Sequence, residues 1–100
     1  MASHTVAQGE RGTAAFTLAA DTVDTVTFTD KFSEVEVITD GAADVWYTTN
    51  GSTPTVGGKN CWYLPTNAVA DVRAVTSSQG SAAVVKLISA GTPTLRVQHD

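Results

Sequence analysis

At 100 residues the chain is long enough for one domain and too short for two independent cores. Six basic against ten acidic residues give a formal charge of -4, and no Lys/Arg cluster occurs, which argues against a phosphate-tracking surface and against nucleic acid as a partner. Sixteen threonines and 13 valines, set against four leucines and two isoleucines, favour pleated strands over helices and predict an all-β domain.

Residues 1–12 mix Ser, His, Gln, Gly, Glu and Arg without period and read as an extended N-terminal arm; residues 13–100 read as a single β-domain. From Thr13 the pattern alternates and places Phe16 and Leu18 on one face of a strand, closed by a turn at Asp21 and Thr22. Residues 23–29 put Val26 and Phe28 on one face and Thr25, Thr27 and Thr29 on the other, with Asp30 and Lys31 ending the strand. Residues 34–38 alternate Glu34 and Glu36 with Val35 and Val37, so one side is wet and the other buried.

After a turn at Asp40 and Gly41, residues 43–49 carry Ala43, Val45 and Tyr47 on one face and Asp44, Trp46 and Thr48 on the other. One of the two adjacent rings therefore meets something other than the main core. Gly57 and Gly58 permit another reversal, and residues 61–64 form a short strand stopped by Pro65. Three strands remain: residues 69–76, residues 82–90 after a loop at 77–80, and residues 94–98 with Leu95 and Val97 inward. The total is about seven or eight short strands at about ten-residue spacing, the signature of a β-sandwich. Alternation alone leaves the strand order open between a Greek-key sandwich and a small barrel.

Chemistry finds little purchase. His4 and His99 lie at opposite termini, and the serines carry no nucleophile-elbow glycines, so no catalytic residue is assigned and the chain reads as a non-enzyme. Asp21, Asp24, Asp30, Asp40 and Asp44 fall at strand ends, where aspartate serves turns; no metal and no cofactor is expected. Cys61 stands alone, which excludes an internal disulfide and reads as a buried structural thiol beside Trp62. No signal peptide or membrane-spanning run is apparent, and a soluble product made in a cytoplasm is expected, with no membrane partner.

Two features remain. In Asn50-Gly51-Ser52-Thr53-Pro54, Gly51 tolerates positive φ, Asn50 can bond its own backbone, and Pro54 stiffens the exit, which together make a structural turn. Trp46, Tyr47, Trp62 and Tyr63 form two dipeptides whose rings point to opposite faces. They are the candidate interface: one ring of each pair packs inside and the other covers a sheet edge, a subunit contact or a sugar.

The run Tyr47-Thr48-Thr49-Asn50-Gly51-Ser52-Thr53-Pro54-Thr55 resembles a strand-turn motif of two groups. One is the immunoglobulin-like or fibronectin-like C-terminal domain of chitobiase-type glycosidases, where aspartate stands in place of Asn50. The other is a group of small tailed-bacteriophage proteins, where the likeness extends through residues 56–61, Leu64-Pro65 and residues 85–91, covering roughly residues 35–97. The resemblance implies a small Ig-like or fibronectin-like sandwich and a virion structural protein. Its most economical role is a capsid decoration or minor capsid protein on the phage head surface. Its partners are then the major capsid protein and further copies of itself, as a trimer or other homo-oligomer. A tail or neck component and a carbohydrate-binding Ig-like module are the alternatives. No catalytic residue is carried over.

Overall fold

The computed structural model describes residues 3–6, 13–28, 34–67, 70–74 and 83–98. Among the described residues nine strands follow in order: β1 (Ser3–Val6), β2 (Thr13–Thr17), β3 (Asp24–Phe28), β4 (Glu34–Thr39), β5 (Val45–Thr48), β6 (Trp62–Leu64), β7 (Ala70–Ala74), β8 (Ala83–Ile88) and β9 (Thr94–Gln98). They form two sheets, β1-β3-β8-β5-β6 and β2-β9-β4-β7. The protein is an all-β sandwich.

Apart from the β5–β6 hairpin, every connection between successive strands crosses from one sheet to the other. Leaving β1 aside, the two four-strand orders are those of a jelly roll. An immunoglobulin-like sandwich divides its strands differently, keeping its first two strands and its fourth and fifth together in one sheet. The two-sheet architecture thus agrees with the sequence, while the strand order is that of another sandwich class.

Alternation explains which side chains meet. In β3 Asp24, Val26 and Phe28 are buried while Thr25 and Thr27 are half-buried. Val26 pairs with Val85 and Asp24 with Leu87, so β3 and β8 present one apolar face to the opposite sheet. Val37 faces Val97, and Phe16 faces Leu95, on that opposite sheet. Together with Leu18, Val35, Val45, Tyr47 and Leu64 these residues build the core, with Phe16 packed against its margin. Fully burying one such side chain is worth about 1.5–3 kcal/mol, and β3, β4, β5, β8 and β9 each contribute two.

Part of the stretch read as an arm is a strand. Ser3–Val6 pairs in parallel with β3, from Ser3 opposite Thr25 to Val6 opposite Phe28, and forms one edge of the five-stranded sheet. A run of Ser-His-Thr-Val carries weak apolar alternation, and the contact that fixes it is made by a polar ring. His4 Nε2 donates to Asp24 Oδ2 at 3.0 Å, and the His4 imidazole stacks on Phe16 of the opposite sheet with centroids 4.2 Å apart and planes at 15°. His4 therefore spans both layers at the sandwich margin. The remainder of the arm, the turn at Asp30 and Lys31, the loop at 77–80 and His99 lie outside the described residues.

The loops following β2, β4, β6 and β8 gather at one end of the sandwich and are stitched by short polar contacts. Asp40 accepts from the Ala42 amide through Oδ1 and from the Thr94 amide through Oδ2. Asp44 Oδ1 accepts from both the amide and the hydroxyl of Thr66, at 2.6 and 2.7 Å. Ser89 donates its hydroxyl to the Asp44 carbonyl, and the Asp21 amide donates to the Ser89 carbonyl. These aspartates accept turn amides, which is why they stand at strand ends.

Two outcomes follow from these contacts. His4→Ala removes one partner from a buried carboxylate and the stacking face from Phe16. It is expected to lower unfolding free energy by about 1–3 kcal/mol and to raise amide exchange in β1; unchanged stability in denaturant unfolding would refute this role of His4. The bonds from Thr66, the hydroxyl first and the amide second, hold the Asp44 carboxyl below its ordinary value. The sign is therefore that of a depressed acid: the stitch is intact above the ordinary carboxylate range and is lost as pH falls through the lowered value. Exchange protection at the Thr66 amide should fall in that acid window and lose the pH step in Asp44→Asn; a pH-independent profile in the native chain contradicts it.

Candidate functional site

The four aromatic residues singled out by sequence lie on one hairpin, β5 and β6, at the edge of the five-stranded sheet opposite to β1. Register assigns their faces. Tyr47 pairs with Trp62 and Trp46 pairs with Tyr63, and directly opposed residues share a face. Tyr47 follows Val45 in phase, and both are fully buried, so the inward ring of β5 is Tyr47. Tyr47 thus leaves the set of candidate interface residues and becomes the largest side chain in the core.

Trp46 points the other way. It stacks on Tyr63 with centroids 5.3 Å apart and planes at 27°, an offset pair on the outer face of the sheet. Its second register partner, Ile88, also faces outward yet is only 8% exposed, so an apolar row Tyr63-Trp46-Ile88 crosses three strands. Tyr63 at the end of that row is 50% exposed. Trp62 shares the inward face with Tyr47 but sits on the edge strand, where it is 45% exposed. The expectation that one ring of each dipeptide packs inside holds for Tyr47 and fails for Trp62 and Tyr63. A strand with a neighbour on one side only cannot enclose a ring as large as indole. Among the described residues, Val56 joins these two as the exposed large hydrophobics.

Polar groups frame the row. The Tyr63 phenol lies beside the Asp44 carboxylate, which accepts from the amide and the hydroxyl of Thr66. Loss of solvation first, and the neighbouring Asp44 charge second, push the Tyr63 phenol up from its ordinary value, so it is a neutral donor at physiological pH. An aromatic face ending in a carboxylate and a threonine can take a ligand with one apolar side and hydroxyl donors at its rim.

At the far end of β5 the turn is built as follows. Thr48 donates its hydroxyl to the Ser52 carbonyl, Asn50 Oδ1 accepts from the Ser52 amide at 3.0 Å, and Gly51 takes φ +86°. Pro54 is buried, and the chain turns again through Gly57 at φ +73°. A Cβ on Gly58 would stand 2.9 Å from the Thr55 carbonyl oxygen and 3.0 Å from Cys61 Sγ. Cys61 is half-buried against that close approach, less enclosed than the buried thiol read from sequence. Among the described residues, no group of three or more His, Cys, Asp or Glu is placed to hold a metal ion. The His4–Asp24 contact was missed by sequence reasoning. The only signal for it was a histidine and an aspartate in segments that the topology, and not the spacing, makes neighbours.

No protein-family model matches the chain, and no curated protein sequence matches it significantly. Solved structures do share its shape. A de novo designed double-stranded β-helix matches with a TM-score of 0.59 at 10% identity, over 88% of this chain and 97% of that one. CBM_E1, a carbohydrate-binding module from a sugar cane soil metagenome complexed with cellopentaose and gadolinium ion, matches with a TM-score of 0.58 at 11% identity, over 97% and 90% of the two chains. The Aeromonas hydrophila periplasmic inhibitor of g-type lysozyme matches with a TM-score of 0.53 at 12% identity, over 96% of each chain. At such identities the likeness establishes the β-sandwich fold.

Proposed function

We propose that this chain is a non-enzymatic structural protein of a tailed-phage virion, a decoration or minor capsid protein that binds the outer surface of the assembled head through the β5–β6 edge. The observation that carries the reading is the exposure of Trp62 and Tyr63 on one short edge strand of an otherwise well-buried sandwich. The resemblance of residues 47–55 and their flanks to small phage proteins supplies the setting. Exposed aromatics rimmed by polar groups are the composition of interface hot spots, and edge strands are places where another chain can add a strand. Each contact is modest, and repetition over a lattice supplies the avidity.

Purified protein added to pre-formed expanded heads that lack it should bind at a fixed number of copies per head and raise resistance to heat or chelator. Trp62→Ala and Tyr63→Ala should each weaken that binding by about tenfold or more while leaving the fold intact, since neither ring is in the core. Failure of the native protein to bind a bare head surface rejects the proposal.

The second reading is a carbohydrate-binding module. It is favoured by the outer row Tyr63-Trp46 with the Asp44 carboxylate at its rim, and by the shared fold of a module whose structure holds cellopentaose. Native protein should then be retained on a polysaccharide column, and Trp46→Ala and Trp62→Ala should each abolish retention. No retention on any glycan tested removes this reading and leaves the first untouched.

A further inference from the structure

We propose that Asn50 is a site of spontaneous self-modification, at which the side-chain amide is displaced by the following peptide nitrogen and the residue becomes an aspartate or isoaspartate. Three independent features of the turn meet there. Gly51 is exposed and carries no side chain, so no Cβ of its own crowds its peptide nitrogen. Asn50 is exposed, so water and base reach its side chain. Its Oδ1 accepts two hydrogen bonds from one residue, from the Ser52 amide at 3.0 Å and from the Ser52 hydroxyl at 2.6 Å.

The last feature gives the site its chemistry. When a nucleophile adds to Asn50 Cγ, negative charge develops on Oδ1, and donors already aimed at that oxygen stabilise it without reorganisation. The Gly51 nitrogen gives its proton to a solvent base and forms a bond to Asn50 Cγ. The bond from Cγ to the side-chain nitrogen breaks, and ammonia leaves after taking up a proton from water. The resulting five-membered imide is opened by water. Attack at Cγ yields aspartate with the original backbone, and attack at the Asn50 main-chain carbonyl carbon yields isoaspartate. The net change is amide plus water to carboxylate plus ammonium, with no oxidant or reductant.

The aspartate product is already accommodated. A carboxylate oxygen in the place of Oδ1 accepts the same two donors from Ser52, now as charge-assisted bonds, so the turn outlasts the reaction while the copy gains one negative charge. The other two asparagines serve as internal controls: Asn60 precedes Cys61 and Asn67 precedes Ala68, so a side chain crowds each following nitrogen. The inference does not depend on what surface the protein binds.

The test is peptide mapping by mass spectrometry of the full chain held folded at mildly alkaline pH, with fragmentation that separates aspartate from isoaspartate. The expected result is conversion at Asn50 many-fold ahead of Asn60 and Asn67, slowed several-fold in Ser52→Ala, with the two chains reacting at equal rates in denaturant. Asn50→Asp should keep the native melting temperature. The proposal is overturned if Asn50 reacts no faster than the other asparagines. Equal rates for Ser52→Ala and the native chain in the folded state overturn it as well.

Discussion

Everything in this fold depends on filling the space between two sheets with few large side chains. Leucine, isoleucine and phenylalanine are scarce, and half of the buried cluster among the described residues is valine, drawn from five strands, around Tyr47 and Phe28 as its largest members. Because successive strands cross between sheets, no local segment can close this layer; Val26 meets Val85, and Val37 meets Val97, far along the chain. The β-branched residues suit that task. They lose little side-chain freedom on burial and pack flat against a pleated neighbour.

A thin core makes the margins matter, and the two edges of the five-stranded sheet are finished in opposite ways. At β1 the margin is sealed from within, by an imidazole that bonds a buried carboxylate on its own sheet and stacks on a phenylalanine of the other. At β6 the strand is three residues long and ends at Pro65, which limits the backbone it offers, yet it carries two exposed rings, one toward each face. Short length is a common protection against unwanted strand pairing. Retaining indole and phenol on such a strand works against that protection, which is the physical ground for proposing a contact surface there.

How much of this was legible in the sequence varies by element. The inward residues of β3, β4 and β9 follow from strict alternation, since Val26 and Phe28, Val35 and Val37, and Leu95 and Val97 are separated by polar partners. β1 was not legible, because its pairing is parallel and its anchoring residue is a histidine whose partners come from β2 and β3. The choice between Trp46 and Tyr47 was not legible from the dipeptide alone, although the shared phase of Tyr47 with Val45 carried the answer. The exposure of Trp62 required knowing that β6 is an edge strand, which is a property of sheet order. Sheet order also separates the jelly-roll arrangement from the immunoglobulin-like one, and both read alike as alternating strands.

The strand that carries Trp46 and Tyr47 leads directly into the turn at Asn50. β5 is only four residues long, and a slip of one residue would drive Trp46 into the core and push Tyr47 out, since side chains alternate with a period of two. Polar contacts hold the chain at both ends of the strand, and those at its start oppose that slip. At its start, Asp44 is held through its carbonyl by Ser89 and through its carboxylate by Thr66. At its end, Thr48 reaches forward to the Ser52 carbonyl while Asn50 bonds the Ser52 amide. The Asp44 contacts tie β5 to the segments that follow β6 and β8 and so hold its register, and register decides which ring is buried and which is presented. Contacts at the start of one short strand thereby determine the chemistry of the surface that it presents.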